Sequence, residues 1–173
     1  MAALSTRTLA TALVILTLAA CGKPSPEKQL ADARAALQRG EASAAVVQLK
    51  SLIQAAPNSA EGRLWLGKAL LAMQDPAGAV IELERAKELG ASESDVTLLL
   101  ARALSGSGRA KDVVDRLGNV ILPEPKLQAE LRLEVASALL QQGQFERAES
   151  EVAAALRADA TNPAARLLSA RFT

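Results

Sequence analysis

The chain of 173 residues has no histidine, no tyrosine, one cysteine, one tryptophan and two phenylalanines. Without histidine there is no Ser–His or acid–His pair, so the usual general base and the commonest metal ligand are both missing. A lone cysteine cannot close an intramolecular disulfide. No glycine-rich phosphate loop is present; Ser105-Gly106-Ser107-Gly108 reads as an interhelical turn. Charge of one sign is also lacking, with 20 Lys and Arg against 19 Asp and Glu, so the basic footprint of a nucleic-acid binder is absent. These absences predict a protein without catalytic residues, metal or cofactor, and without a nucleic-acid partner.

What is present is apolar and small. Half of the residues are hydrophobic, but aromatics make up only 2 %, so alanine and leucine carry the apolar content. Both cost little in a helix interior. The length suits one domain with a continuous core.

The first twenty residues read as an export address. Arg7 supplies the positive charge, Leu9 to Leu18 form a short apolar run, and Leu18-Ala19-Ala20-Cys21 ends it with small residues and the cysteine. The run is shorter than the roughly 20 residues a membrane span needs. An ordinary signal peptide, or a buried N-terminal helix with a chance cysteine, is the alternative. The Leu-Ala-Ala-Cys ending resembles the lipobox of bacterial lipoproteins. That resemblance implies cleavage before Cys21 and lipidation of its sulfur, which anchors the chain in a membrane facing the periplasm. Gly22 after the cysteine, where an aspartate could stand, resembles the enterobacterial default of the outer membrane rather than the inner one. The expected division is a signal peptide at 1–20, lipidated Cys21 with a short tether at 21–26, and a helical domain at 27–173. Gly22 to Pro26 span under roughly 20 Å even if fully extended, which would hold the domain close to the bilayer.

The domain repeats itself. Small residues recur at Ala33, Gly67, Ala101, Ala136 and Ala170, spaced by 34, 34, 35 and 34. Gly40, Gln74, Gly108 and Gly143 form a second series, Ala45, Ala79, Val113 and Ala148 a third, and Leu52, Ala86, Val120 and Ala155 a fourth. Pro57 and Pro125 fall near repeat ends. A non-repetitive helical bundle would have to match four series at one period by accident. The pattern resembles the tetratricopeptide repeat (TPR), whose period is 34 residues. The resemblance implies an all-α superhelix of antiparallel helix pairs, A and B. Small residues sit at repeat positions 8 and 20 where the two helices cross, and a glycine ends helix A with positive φ. The expected repeats are about 26–59, 60–93, 94–128 and 129–162, with 163–173 as helix A of a fifth. Repeat 3 is the weakest, with Val113 and Val120 at normally small positions and one extra residue within Leu122-Pro123-Glu124-Pro125. The abrupt end after one helix predicts the N-terminal part of a longer protein, or a covering partner.

In this family helix A lines the concave groove through positions 2, 5, 9 and 12. Position 2 here is Glu27, Glu61, Asp95 and Glu130; position 5 is Leu30, Leu64, Leu98, Leu133 and Leu167; position 9 is Arg34, Lys68, Arg102, Ser137 and Arg171. The resemblance therefore implies an acidic rail, a leucine strip and a basic rail that holds an envelope protein or an anionic polysaccharide. Ordinary helix physics accounts for the same ladders, since acids favour the first turn, bases the later ones, and leucines pack. Trp65 at position 6 reads as packing rather than as a platform.

Several short stretches narrow the resemblance: Ala20-Cys21-Gly22, Gln48-Leu49-Lys50, Asn58-Ser59-Ala60-Glu61-Gly62-Arg63 and Glu88-Leu89-Gly90-Ala91. They are similar to the N-terminal part of the PrsT family of TPR lipoproteins in the PEP-CTERM/exosortase system. That implies a scaffold beside exopolysaccharide export and sorting of surface proteins. The alternative is a TPR lipoprotein assembly factor for outer-membrane proteins or a pilus secretin.

Overall fold

The computed structural model describes residues 24–172, which are built from α-helices and turns without a strand. The helices are α1 (Pro26–Gln38), α2 (Ala42–Ala55), α3 (Ala60–Ala72), α4 (Pro76–Glu88), α5 (Glu93–Gly106), α6 (Ala110–Leu117), α7 (Pro125–Gln141), α8 (Phe145–Ala158) and α9 (Pro163–Ser169). Signals at the helix starts are local. Ser25, Ser59, Asp75 and Asn162 each accept a hydrogen bond from the backbone N–H three residues on. Proline opens α1, α4, α7 and α9, where its missing N–H costs nothing. Pro125 thus starts a helix, whereas Pro57 lies two residues beyond the end of α2.

Each helix packs against its neighbours in the chain, and α1, α3, α5, α7 and α9 also touch one another in succession. Odd-numbered helices are therefore the A helices and α2, α4, α6 and α8 the B helices of stacked pairs. The crossings are as tight as the small residues allow. Ala33, Ala45, Ala79, Ala101, Val113, Ala136 and Ala148 have no exposed surface. At Gly67 an added Cβ would lie 2.5 Å from Cγ of Leu83, itself fully buried, so even alanine overfills that crossing. The A-to-B turns at Gly40, Gln74, Gly108 and Gly143 all have positive φ, and Gln74 adopts it at 60° despite its side chain.

Two features depart from the regular pattern. Helix α6 has 8 residues, whereas the other B helices have 13 or 14. Val120 consequently lies outside a helix, and Leu117 and Leu122 fill the core beside it. Arg132, on α7 and 8 % exposed, occupies the space left by the missing turns. Its guanidinium donates to the carbonyl of Gly118 at 2.6 Å and to that of Val120, and pairs with Glu151 at 3.2 Å. At the other departure, α9 stops at Ser169, so Ala170 and Arg171 lie in a turn rather than on a continuing A helix.

Candidate functional site

Of the position-5 leucines on the A helices, Leu64 and Leu133 line cavities between repeats. Leu30, Leu64 and Leu133 are half-buried, Leu98 is buried, and Leu167 on α9 is 71 % exposed. Leu30, Leu64 and Leu133 pack on the core while keeping part of their surface exposed.

The acidic and basic ladders do not run as two separate rails. Arg34 of repeat 1 pairs with Glu61 of repeat 2. Arg102 of repeat 3 pairs with Glu130 of repeat 4 at 2.7 Å and with Glu134 at 3.2 Å. A cation at position 9 thus meets the position-2 acid of the next repeat, and much of the basic ladder is neutralised from within. Exposed pairs of this kind contribute at most about 1 kcal/mol each.

Repeat 2 differs. The Trp65 ring has the Arg34 guanidinium 4.7 Å from its centroid and the Lys68 ammonium 4.6 Å from it. Both lie within the range of cation–π attraction. Lys68 makes no ion pair among the described residues. Arg34, Glu61, Leu64, Trp65, Lys68, Asp95 and Leu99 enclose a cavity of about 300 Å³. The tryptophan is half-buried and packs on the core, but its ring is also the floor of a charged recess. The sequence favours packing over a platform for Trp65. The available signal was the spacing of Trp65 to Lys68, three residues apart on one helix face.

A second cavity, of about 520 Å³, lies where the groove meets α9 and is lined by Arg102, Glu130, Leu133, Glu134, Ser137, Asn162, Pro163 and Ala164. Burial pushes the Glu134 carboxyl above the usual carboxylate range, against the opposing hydrogen bond and charge of Arg102. Arg171 is not on this wall's helical register, because α9 ends before it. Cys21 lies outside the described residues. Among the described residues no group of three or more His, Cys, Asp or Glu could hold a metal ion. None of their helices is long and apolar enough to cross a membrane.

Stacked helix pairs with small crossing residues and positive-φ A-to-B turns define a TPR superhelix. Residues 36–103 match the family model described as tetratricopeptide repeat. No curated protein matched. Among solved structures, the fold is similar to a thermophilic TPR protein of Thermus thermophilus, at 20 % identity over 85 % of this chain and 80 % of that one, TM-score 0.66. It is also similar to PilF of Pseudomonas aeruginosa, at 20 % identity over 84 % of this chain and 66 % of that one, TM-score 0.73. A third is YrrB, a TPR protein with an unusual peptide-binding site, at 20 % identity over 79 % of this chain and 70 % of that one, TM-score 0.66.

Proposed function

We propose that the chain is a binding scaffold whose concave groove takes an extended protein segment or anionic polymer, with the recess around Trp65 and Lys68 as its principal contact. The observation that carries this is Lys68: a cation held against an indole beside Leu64 and Leu99, making no ion pair although Glu61 and Asp95 line the same recess. An anionic group entering there gains a charge-assisted contact without displacing an internal partner. The peptide-binding site of YrrB, a fold neighbour, supports a peptide as one such ligand.

The anchoring part of the proposal rests on sequence. Arg7, the apolar run and Leu18-Ala19-Ala20-Cys21 make the chain a lipoprotein attached through Cys21, facing the periplasm, with the outer membrane favoured by Gly22. The resemblance to TPR lipoproteins of the PEP-CTERM/exosortase system makes exopolysaccharide export and surface-protein sorting the setting. The alternative setting is assembly of outer-membrane proteins or of a pilus secretin. The likeness to PilF bears on fold and does not separate the two.

Two experiments test this. Metabolic labelling with palmitate is expected to mark the parent and not Cys21→Ser; label on the variant contradicts anchoring. Titration of Arg34→Glu combined with Lys68→Glu and Arg102→Glu against oligoglutamate and polyglucuronate, at two salt concentrations, is expected to show lost affinity and lost salt dependence. Unchanged binding by the triple variant contradicts the groove.

A further inference from the structure

Position 9 of one repeat and position 2 of the next make rungs between successive A helices. The first rung joins Arg34 to Glu61 and the third joins Arg102 to Glu130 at 2.7 Å, so both are closed. A fourth would join Ser137 to Ala164, which carry no charge. The second rung has both of its charges, Lys68 and Asp95, and is open. Neither residue makes an ion pair among the described residues.

The cause lies at position 6. Repeat 2 has Trp65 there, where repeats 1, 3 and 4 have Ala31, Leu99 and Glu134. The Lys68 ammonium sits 4.6 Å from the centroid of the indole rather than on Asp95. An exposed ammonium gains about as much from an aromatic face as from an exposed carboxylate, so the ring can hold it away from the acid. Both charges are exposed, and with Leu64, Trp65 and Leu99 they line the recess of about 300 Å³. Arg34 and Glu61, on the same recess, are engaged with each other. Ligand sites run from roughly 300 to 1,000 Å³, so this one admits side chains rather than a folded element.

We infer that the open rung is completed by a ligand carrying both signs of charge: a peptide segment whose acidic side chain meets Lys68 and whose basic side chain meets Asp95, with their aliphatic stems on Leu64, Leu99 and the indole. This rests on the recess being the principal contact of the chain, and it narrows the ligand from an anion to a dipolar segment. A purely anionic polymer is disfavoured, because it meets Asp95 with like charge. In an extended segment, side chains two residues apart point to the same side about 7 Å from each other, so an acid and a base at that spacing face one wall.

The test uses the full chain, Trp65 emission as readout, and peptides capped at both ends so that their termini carry no charge. The dipolar probes are Ser-Gln-Glu-Ala-Lys-Gln-Ser and the same peptide with its Glu and Lys exchanged; the control has Gln in place of Lys. The tighter dipolar probe is expected to bind about fivefold or more better than the control. Asp95→Asn is expected to erase that difference without weakening the control, and to strengthen oligoglutamate. Lys68→Gln is expected to weaken every peptide. Both substitutions are at exposed positions. Equal affinity of the parent for the dipolar and control peptides overturns the inference and leaves the anionic recess standing. Peptide binding indifferent to Lys68→Gln overturns the recess as well. Polyglucuronate or oligoglutamate bound as tightly as the dipolar probe overturns the inference in favour of an anionic polymer. A double-mutant cycle on stability that couples Lys68 to Asp95 as strongly as Arg34 to Glu61 would show that the rung closes on itself, and would also overturn it.

Discussion

Repeats 2 and 3 occupy the middle of one array and solve the same packing problem differently. In repeat 2, alanines at both crossing positions of the B helix let α4 run its full 13 residues against Gly67 and its neighbours. In repeat 3, valines take those positions, Gly118 caps the helix after 8 residues, and Arg132 from the next repeat fills the gap with hydrogen bonds. The grooves differ in parallel. Lys68 of repeat 2 rests on Trp65 without an ion pair, whereas Arg102 of repeat 3 is held between Glu130 and Glu134. The same repeat position can therefore be apolar filling or polar brace, and unpaired cation or internal strut, depending on the neighbouring repeat.

The comparison is broken most severely at Arg132. Arg132→Ala is expected to cost about 3–5 kcal/mol, because it leaves Glu151 unpaired and strips two carbonyls of their donors. Urea denaturation reads this directly; a loss under about 1 kcal/mol would mean the brace is incidental. Next comes the crossing of repeat 2. Ala79→Leu is expected to overpack it by about 1–3 kcal/mol, and an unchanged denaturation midpoint and slope would contradict the tight crossing.

A smaller and opposite effect is expected at the repeat-2 turn. Gln74→Gly relieves a left-handed residue and should raise stability by about 0.5–1 kcal/mol, while the same turn in repeat 3 already has Gly108. A loss of stability would show that the Gln74 side chain contributes more than its backbone costs. The smallest effect concerns Glu134, which holds its proton to higher pH in the folded chain than in the unfolded one. The stability it supplies is full below the unfolded value and is lost as pH rises through the folded one. Denaturation midpoints across the carboxylate range should therefore fall more for the parent than for Glu134→Gln as pH rises. Parallel curves would contradict the raised carboxyl.

The repeat was legible because its determinants are local. The period exposed the crossing alanines, and it placed Gln74 in a turn that needs positive φ although the residue is not glycine. The position-5 leucines were legible as a strip for the same reason. Repeat 3 was not, because Val120 matches the period while the helix has already ended at Leu117; Gly118 and the Leu122–Pro125 stretch outweigh it. The two rails were misleading because Arg34 and Glu61 lie 27 residues apart, and their pairing is made only when repeats stack. Trp65 was read as packing because one helix shows its core contacts but not the Arg34 side chain that arrives from the previous repeat.

The most direct measurement uses that tryptophan, the only one in the chain, as reporter. Trp65 emission is followed while oligoglutamate is added to the parent, to Lys68→Glu and to Arg102→Glu. The parent emission is expected to change saturably, and the change should weaken with salt as screening shortens the reach of the charge. Lys68→Glu is expected to lose about tenfold or more in affinity, and Arg102→Glu, already neutralised by its neighbours, less than about twofold. Equal losses at the two positions, or binding that leaves Trp65 emission unchanged, would contradict the assignment of the repeat-2 recess as the binding site.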